Sequence, residues 1–342
     1  MELWFIGSSN KIEDSITKLN KSHLNLLNIK KHFIFSRMSI KILIMEFYLS
    51  KFYERNMDVV VIGNGFDLFH ELKTSYNNFK MYLTLEHPEC IQQVEEFIDI
   101  ESNALWNNLE ASLAKIDYEM IYEKASALLE SYGSDDWKDR YHHDFQYEIW
   151  KSLSFTNNLA KYAKEWINSI EMKSNKILQE FTFENVLFIS FNYTDTLEEF
   201  YKIPENNIFY IHGKAKRDNG IILGHNAECY CFNQNYISDD IRIQEGNIIL
   251  NQSQKNLKKP SEEIISTNKN YFETMVDVKN IYILGHSLSE VDDIYFINMI
   301  KYIPKNCKWF ISYYNDKSNI DEFIKRHNIN SEVNKIKIED FA

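Results

Sequence analysis

Four short stretches carry residues whose types and spacing could do chemistry, and each follows an apolar run. After Val59–Ile62 come Gly63, Asn64, Gly65, Phe66 and Asp67. A Gly-x-Gly at that place lets a ligand phosphate approach the backbone and meet the start of the next helix, although the third glycine of the dinucleotide fingerprint is missing. A tight turn explains the two glycines equally well. Asp67 could bond a ribose hydroxyl or merely cap the turn. After "LFISF" comes Asn192, which could orient a ribose or a water, or close an Asx-turn. After "FYI" come His212 and Gly213. A histidine there can act as a general base near neutral pH, while a lone histidine is more often structural. After "YIL" come Gly285, His286 and Ser287, which read as a second backbone cradle for the ligand. Ser287 is not the nucleophile of a G-x-S-x-G elbow, because Ser289 stands where glycine would be needed.

These residues need a scaffold that brings strand ends together. "VVVI", "NVLFIS", "NIFYI", "NIYIL" and "KWFISYY" read as strands, and "GIILGHN" as a further short one. Residues from about 90 to 180 read as helical throughout, interrupted once near Gly133, and "NIDEFIKRH" as a last helix. The polar region from about 233 to 265 reads as irregular or partly helical. Strands alternating with helices predict an α/β fold, a doubly wound and mainly parallel sheet, with a large helical insertion over about 85–180. In such sheets ligands bind beyond the carboxyl ends of the strands, so all four clusters should meet at one rim. Trp106 and Glu110 are the part of the insertion expected nearest that rim. Either could instead be only a helix face.

Composition bounds the rest. The 342 residues are 44% hydrophobic and 26% charged, as in a globular protein, with a net charge of −12. That charge argues against general nucleic-acid binding. Cys90, Cys229, Cys231 and Cys307 form no disulfide framework, and a reducing cytoplasm is the simplest setting. Cys229-x-Cys231 lacks a second pair, so no metal is expected. Residues 1–56 carry nine Lys/Arg against five Asp/Glu. Their apolar stretch is interrupted by Arg37, Lys41, Glu46 and Lys51, which argues against a membrane span. They read as an N-terminal extension, with the α/β domain over 57–342. The Asp292-Asp293 pair reads as helix capping.

The segments "VVIGNGFDLFHELKTSYNNF", "LWNNLEASL", "FISFNYTDTLEEFY", "FYIHGKAKRDNGIILGHN" and "YILGHSLSEVDDIYF" together resemble the AbiH family of bacteriophage abortive-infection proteins. Such proteins resemble, remotely, the sirtuin-like domains that bind NAD. The sirtuin order of a Gly-x-Gly loop, an Asn loop, a His-Gly and a late Gly-x-Ser loop recurs as Gly63-Asn64-Gly65, Asn192, His212-Gly213 and Gly285-His286-Ser287. Sirtuins place an Asp two residues after the Asn; here that position is Thr194, and Asp195 comes one later. The four-Cys zinc module of the deacetylases is absent. The resemblance therefore implies antiviral defence by NAD cleavage. The pyrophosphate would rest on the Gly63–Phe66 amides, Asn192 would hold the ribose or water, and His212 would accept a proton. A phage trigger protein and association with further copies of the chain are further expectations. The competing expectation is a nucleotide sensor that binds without cutting.

Overall fold

The computed structural model describes residues 57–98, 100–178, 185–232 and 238–340. The expectation of an extension over residues 1–56 lies outside the described residues. At the centre is β1 (Met57–Ile62), flanked by β2 (Val186–Ser190) and β4 (Val278–Leu284). β3 (Ile208–Tyr210) lies outside β2, and β5 (Lys308–Tyr313) and β6 (Val333–Lys337) lie outside β4. Every pairing is parallel, in the order β3-β2-β1-β4-β5-β6. The chain thus builds outward on one side of β1, then returns to build outward on the other. The reversal falls between β1 and β4, where a sheet of this kind opens its ligand crevice.

The central strands are near-continuous apolar runs because both faces are covered. Val59, Val61, Ile281 and Ile283 pack on one face against Tyr295, Phe296 and Met299. Val60, Ile62, Phe188 and Leu284 pack on the other against Phe66 and Leu197. Helices on both faces make the sheet doubly wound, as expected. Ile62 is level with both Ser190 and Leu284, and Ser190 with Tyr210. The loops that begin at Gly63, Phe191, Ile211 and Gly285 therefore leave the sheet at one edge.

The helices, in chain order, begin with α1 (Asn64–Phe69). Between β1 and β2 follow α2 (Tyr76–Glu86), α3 (Pro88–Phe97), α4 (Ser102–Asn107), α5 (Leu109–Leu113), α6 (Tyr118–Ser126), α7 (Asp144–Ser152) and α8 (Ser154–Ser169). Instead of one interruption there are many. Pro88 restarts the chain at the first turn of α3, and the Asp117 carboxylate caps α6 by accepting the Met120 N–H. After β2 comes α9 (Thr196–Tyr201). The segment read as irregular or partly helical holds α10 (Ile241–Leu257), and α11 (Ser261–Thr267) and α12 (Lys269–Glu273) follow it. α13 (Asp293–Tyr302) and α14 (Ser318–Arg326) complete the set. The insertion has its own core, in which Phe79, Trp106, Leu109, Phe145, Leu159 and Trp166 meet Leu250 and Leu257 of α10. "GIILGHN" is not a strand. It makes only single bridges, Gly213 with Ile221 and His225 with Lys258. No described helix is long and apolar enough to cross a membrane.

Candidate active site

The two glycine turns at the reversal point interlock. The Gly63 N–H donates to Leu284 O at 3.0 Å, Gly65 N–H to Gly285 O at 2.7 Å, and Phe66 N–H to Gly63 O at 2.9 Å. A Cβ on Gly65 would lie 2.8 Å from Gly285 Cα, and one on Gly63 would lie 2.6 Å from His286 Cα. Gly285 has φ +63°, and a Cβ there would lie 2.0 Å from Phe66 N. Backbone meeting backbone is what requires glycine here. The expectation that the Gly63–Phe66 amides carry a pyrophosphate is corrected accordingly, since three of those amides already donate within the protein. Phe66 is a core side chain, while Asn64 and Ser287 are exposed.

Asp67 and the loop after β2 form a clamp beside this turn. The Asn192 Nδ2–H donates to Gly63 O at 3.0 Å. Thr194 donates to Asp67 Oδ2 at 2.7 Å, and Thr196 to Oδ1 at 2.6 Å. Burial pushes the Asp67 carboxyl up to about 6, against the lowering effect of the Thr196, Thr194 and Asn192 hydrogen bonds. Asp195 is occupied by Lys216. Gly213 takes φ +80°, turning the chain sharply after His212.

His212 and His286 face a buried polar cluster. His286 Nδ1 accepts the Leu288 N–H at 2.9 Å, which directs Nε2 to Asp292 Oδ2 at 3.4 Å. His212 Nε2 lies 3.7 Å from Asp292 Oδ1, too far for a hydrogen bond, and has no hydrogen-bond partner among the described residues although the residue is 2% exposed. Asp292 Oδ1 also meets Lys259 Nζ at 3.2 Å. Lys259 donates in turn to Glu110 Oε2 at 2.7 Å. The Tyr76 and Tyr193 hydroxyls lie 3.0 and 3.1 Å from Glu110 Oε1. Glu110 comes from α5 of the insertion, Asp292 from the turn before α13, and Lys259 from the corner between α10 and α11. The backbone sets that corner: Lys259 N–H donates to His225 O, and His225 N–H to Leu257 O.

The charges follow from this geometry. Burial lowers the His212 pKa to about 3, and the Lys259 ammonium lowers it further against the pull of Asp292. His212 is therefore neutral near pH 7. Burial disfavours the charge on Lys259, yet Glu110 and Asp292 hold its pKa above the ordinary value. Burial would raise Asp292, but Lys259 and the two histidines hold it well below the usual carboxylate range. The tyrosines are raised by burial first and by Glu110 second. Among the described residues, no group of three or more His, Cys, Asp or Glu side chains is arranged to hold a metal ion.

Several expected residues therefore meet at one rim, with altered partners. Asp292 does precede a helix, but its side chain makes no capping bond and faces Lys259 instead; Asp293 is the residue bound to Arg326 and His327. Glu110 reaches the rim, whereas Trp106 lies in the helical core with its indole N–H on Glu95. Lys259, Tyr76 and Tyr193 were not foreseen. Tyr193 stood inside a polar loop already singled out. Lys259 carried no signal in its polar surroundings.

The family description "Bacteriophage abortive infection AbiH" matches residues 59–313, from β1 into β5 and across every member of the cluster. The chain belongs to the AbiH family. No curated protein and no solved structure matches it. This AbiH-family chain is accordingly a bacterial abortive-infection protein of phage defence, with its buried charges gathered at the edge where parallel sheets bind ligands.

Proposed function

We propose that the protein defends against phage by hydrolysing NAD at the bond between nicotinamide and ribose. The observation that carries this reading is His212: a neutral, buried imidazole whose Nε2 has no partner, facing Asp292 at the ligand edge of the sheet. Water attacks the ribose carbon, the carbon–nitrogen bond breaks, and its electron pair neutralises the pyridinium ring as nicotinamide departs. His212 takes the water's proton and passes it to solvent. Asn192 orients the ribose or the water. The phosphates take the outer side of the rim, where Asn64 and Ser287 are exposed, because the turn amides are used internally. The strand order and its reversal point also support a dinucleotide ligand.

Purified protein incubated with NAD should release nicotinamide and ADP-ribose, and His212→Ala should abolish release while the protein stays folded. A second reading has an observation of its own. The interlocked turns and the buried cluster are closed, so a ligand must part them, which suits a sensor. Binding of NAD seen by thermal shift, with no cleavage by wild type, would favour the sensor and end the hydrolase reading.

A further inference from the structure

The two carboxylates of the cluster are not equivalent. Glu110 is saturated: its oxygens meet Tyr76, Tyr193 and Lys259 at 3.0, 3.1 and 2.7 Å. Asp292 is loosely held, with Lys259, His286 and His212 at 3.2, 3.4 and 3.7 Å. Next to it stands the buried His212 Nε2, which has no hydrogen-bond partner among the described residues. The cluster also has a sign. Two carboxylates face one ammonium, so with both imidazoles neutral the cluster carries a net negative charge. A buried site of that sign favours a reaction in which positive charge develops and opposes the approach of further negative charge.

We infer that Asp292 is the catalytic carboxylate of a centre specific for N-glycosidic bonds of ribose, its charge facing the oxocarbenium-like sugar, while Lys259 and Glu110 are positioning residues that hold it beside His212. This rests on the hydrolytic reading above and narrows it. Cleavage of a phosphate ester or anhydride is the chemistry it rules out, because the transferring phosphoryl group is anionic and would need cations facing it. The balance is that of simple hydrolysis: water adds to the sugar carbon, the base leaves with the bonding pair, and one proton goes to His212 and then to solvent. Asp292 makes no covalent bond and remains ionised throughout.

The test separates charge preference from NAD turnover. Full-length protein is titrated with an iminoribitol, a protonated pyrrolidine analogue of ribose, and with neutral anhydroribitol. The iminoribitol should bind roughly tenfold more tightly or better, a preference expected from one opposed charge in a partly desolvated site. Asp292→Asn should lose the preference and Asp292→Glu should retain it. If Asp292→Asn does not fold, the wild-type comparison still decides. Equal binding, or no binding of either, overturns the inference. So does hydrolysis of NAD to AMP and nicotinamide mononucleotide. A protein that ignores NAD but prefers the cation leaves the inference standing and removes only the NAD reading.

Discussion

Replacing Asp67 by Asn tests whether burial or hydrogen bonding governs the clamp between the first two loops. The carboxyl is 1% exposed, and burial raises its pKa from the ordinary 3.8 to about 6 despite two threonine hydroxyls. The native state then binds this proton more tightly than the unfolded chain does. In the window between those values the native state holds more protons, so stability falls as pH rises. Asp67's contribution is fully present below the unfolded pKa and is lost as pH climbs through the folded one. At about 1.4 kcal/mol per unit, the whole loss is about 3 kcal/mol, of which about 2 kcal/mol falls between pH 4.5 and 7.5. An asparagine keeps the shape. One threonine still donates to its oxygen, and the other turns its hydroxyl to accept from the amide. Urea unfolding of both proteins across that range should show the variant gaining about 2 kcal/mol relative to wild type as pH rises. Other titrating groups are common to both proteins and cancel in the difference. A difference that stays flat with pH would mean the hydrogen bonds fully offset burial. A difference of opposite sign would mean they hold Asp67 ionised.

His212 should act in the reverse direction. Its pKa is lowered to about 3, so the native state refuses a proton that the unfolded chain accepts, and stability is lost as pH falls below the ordinary histidine value. His212→Gln should remove about 3 kcal/mol of that loss between pH 7 and 4, read from urea midpoints; an unchanged acid limb would refute it. Gly285→Ala should destabilise by at least about 2 kcal/mol in thermal melts, because a positive φ and a backbone collision coincide there. A normal melt with ligand binding alone impaired would show the glycines serving a ligand after all. Lys259→Met should cost about 3–5 kcal/mol in urea unfolding by leaving Glu110 and Asp292 buried without their cation, and Glu110→Gln combined with it should recover much of that. Additive losses would show that the pair does not interact.

How much of this could be read from residues alone depended on burial. β1, β2 and β4 are covered on both faces, so their apolar runs were unmistakable. β6 was missed because it is an edge strand: "VNKIK" is short, half-buried and interrupted by Asn334 and Lys335. α10 was missed as a long helix for a different reason. Its buried side includes Arg242, Asn247, Ser253 and Gln254, and Gly246 sits against Phe145 and Ile149. A helix whose inward face is polar and small shows little apolar period. The insertion was recognised by its amphipathic helices, but local caps and Pro88 set its breaks. Convergence of the strand-end loops followed from parallel topology. The glycines were seen, yet what they approach was not, because Gly65 and Gly285 are far apart in the chain and adjacent only in the fold.

The charged cluster was hidden for a physical reason that also bears on its purpose. Lys, Asp and Glu are mostly surface residues, so position in a polar stretch predicts exposure. Here Lys259 has a fully buried side chain, and its two carboxylates come from different parts of the structure. Hydrophobic side chains of similar volume would often replace such a buried ion pair without loss of stability. Holding α5 against the α10–α11 corner therefore does not account for these three charges. Stability accounts even less for His212, whose buried Nε2 has no hydrogen-bond partner among the described residues. The fold instead keeps an unsatisfied base, a loosely held carboxylate and a fixed cation together at the strand ends. Perturbed and under-satisfied groups concentrate where ligands are bound or transformed, and in this protein they concentrate where the sheet reverses direction.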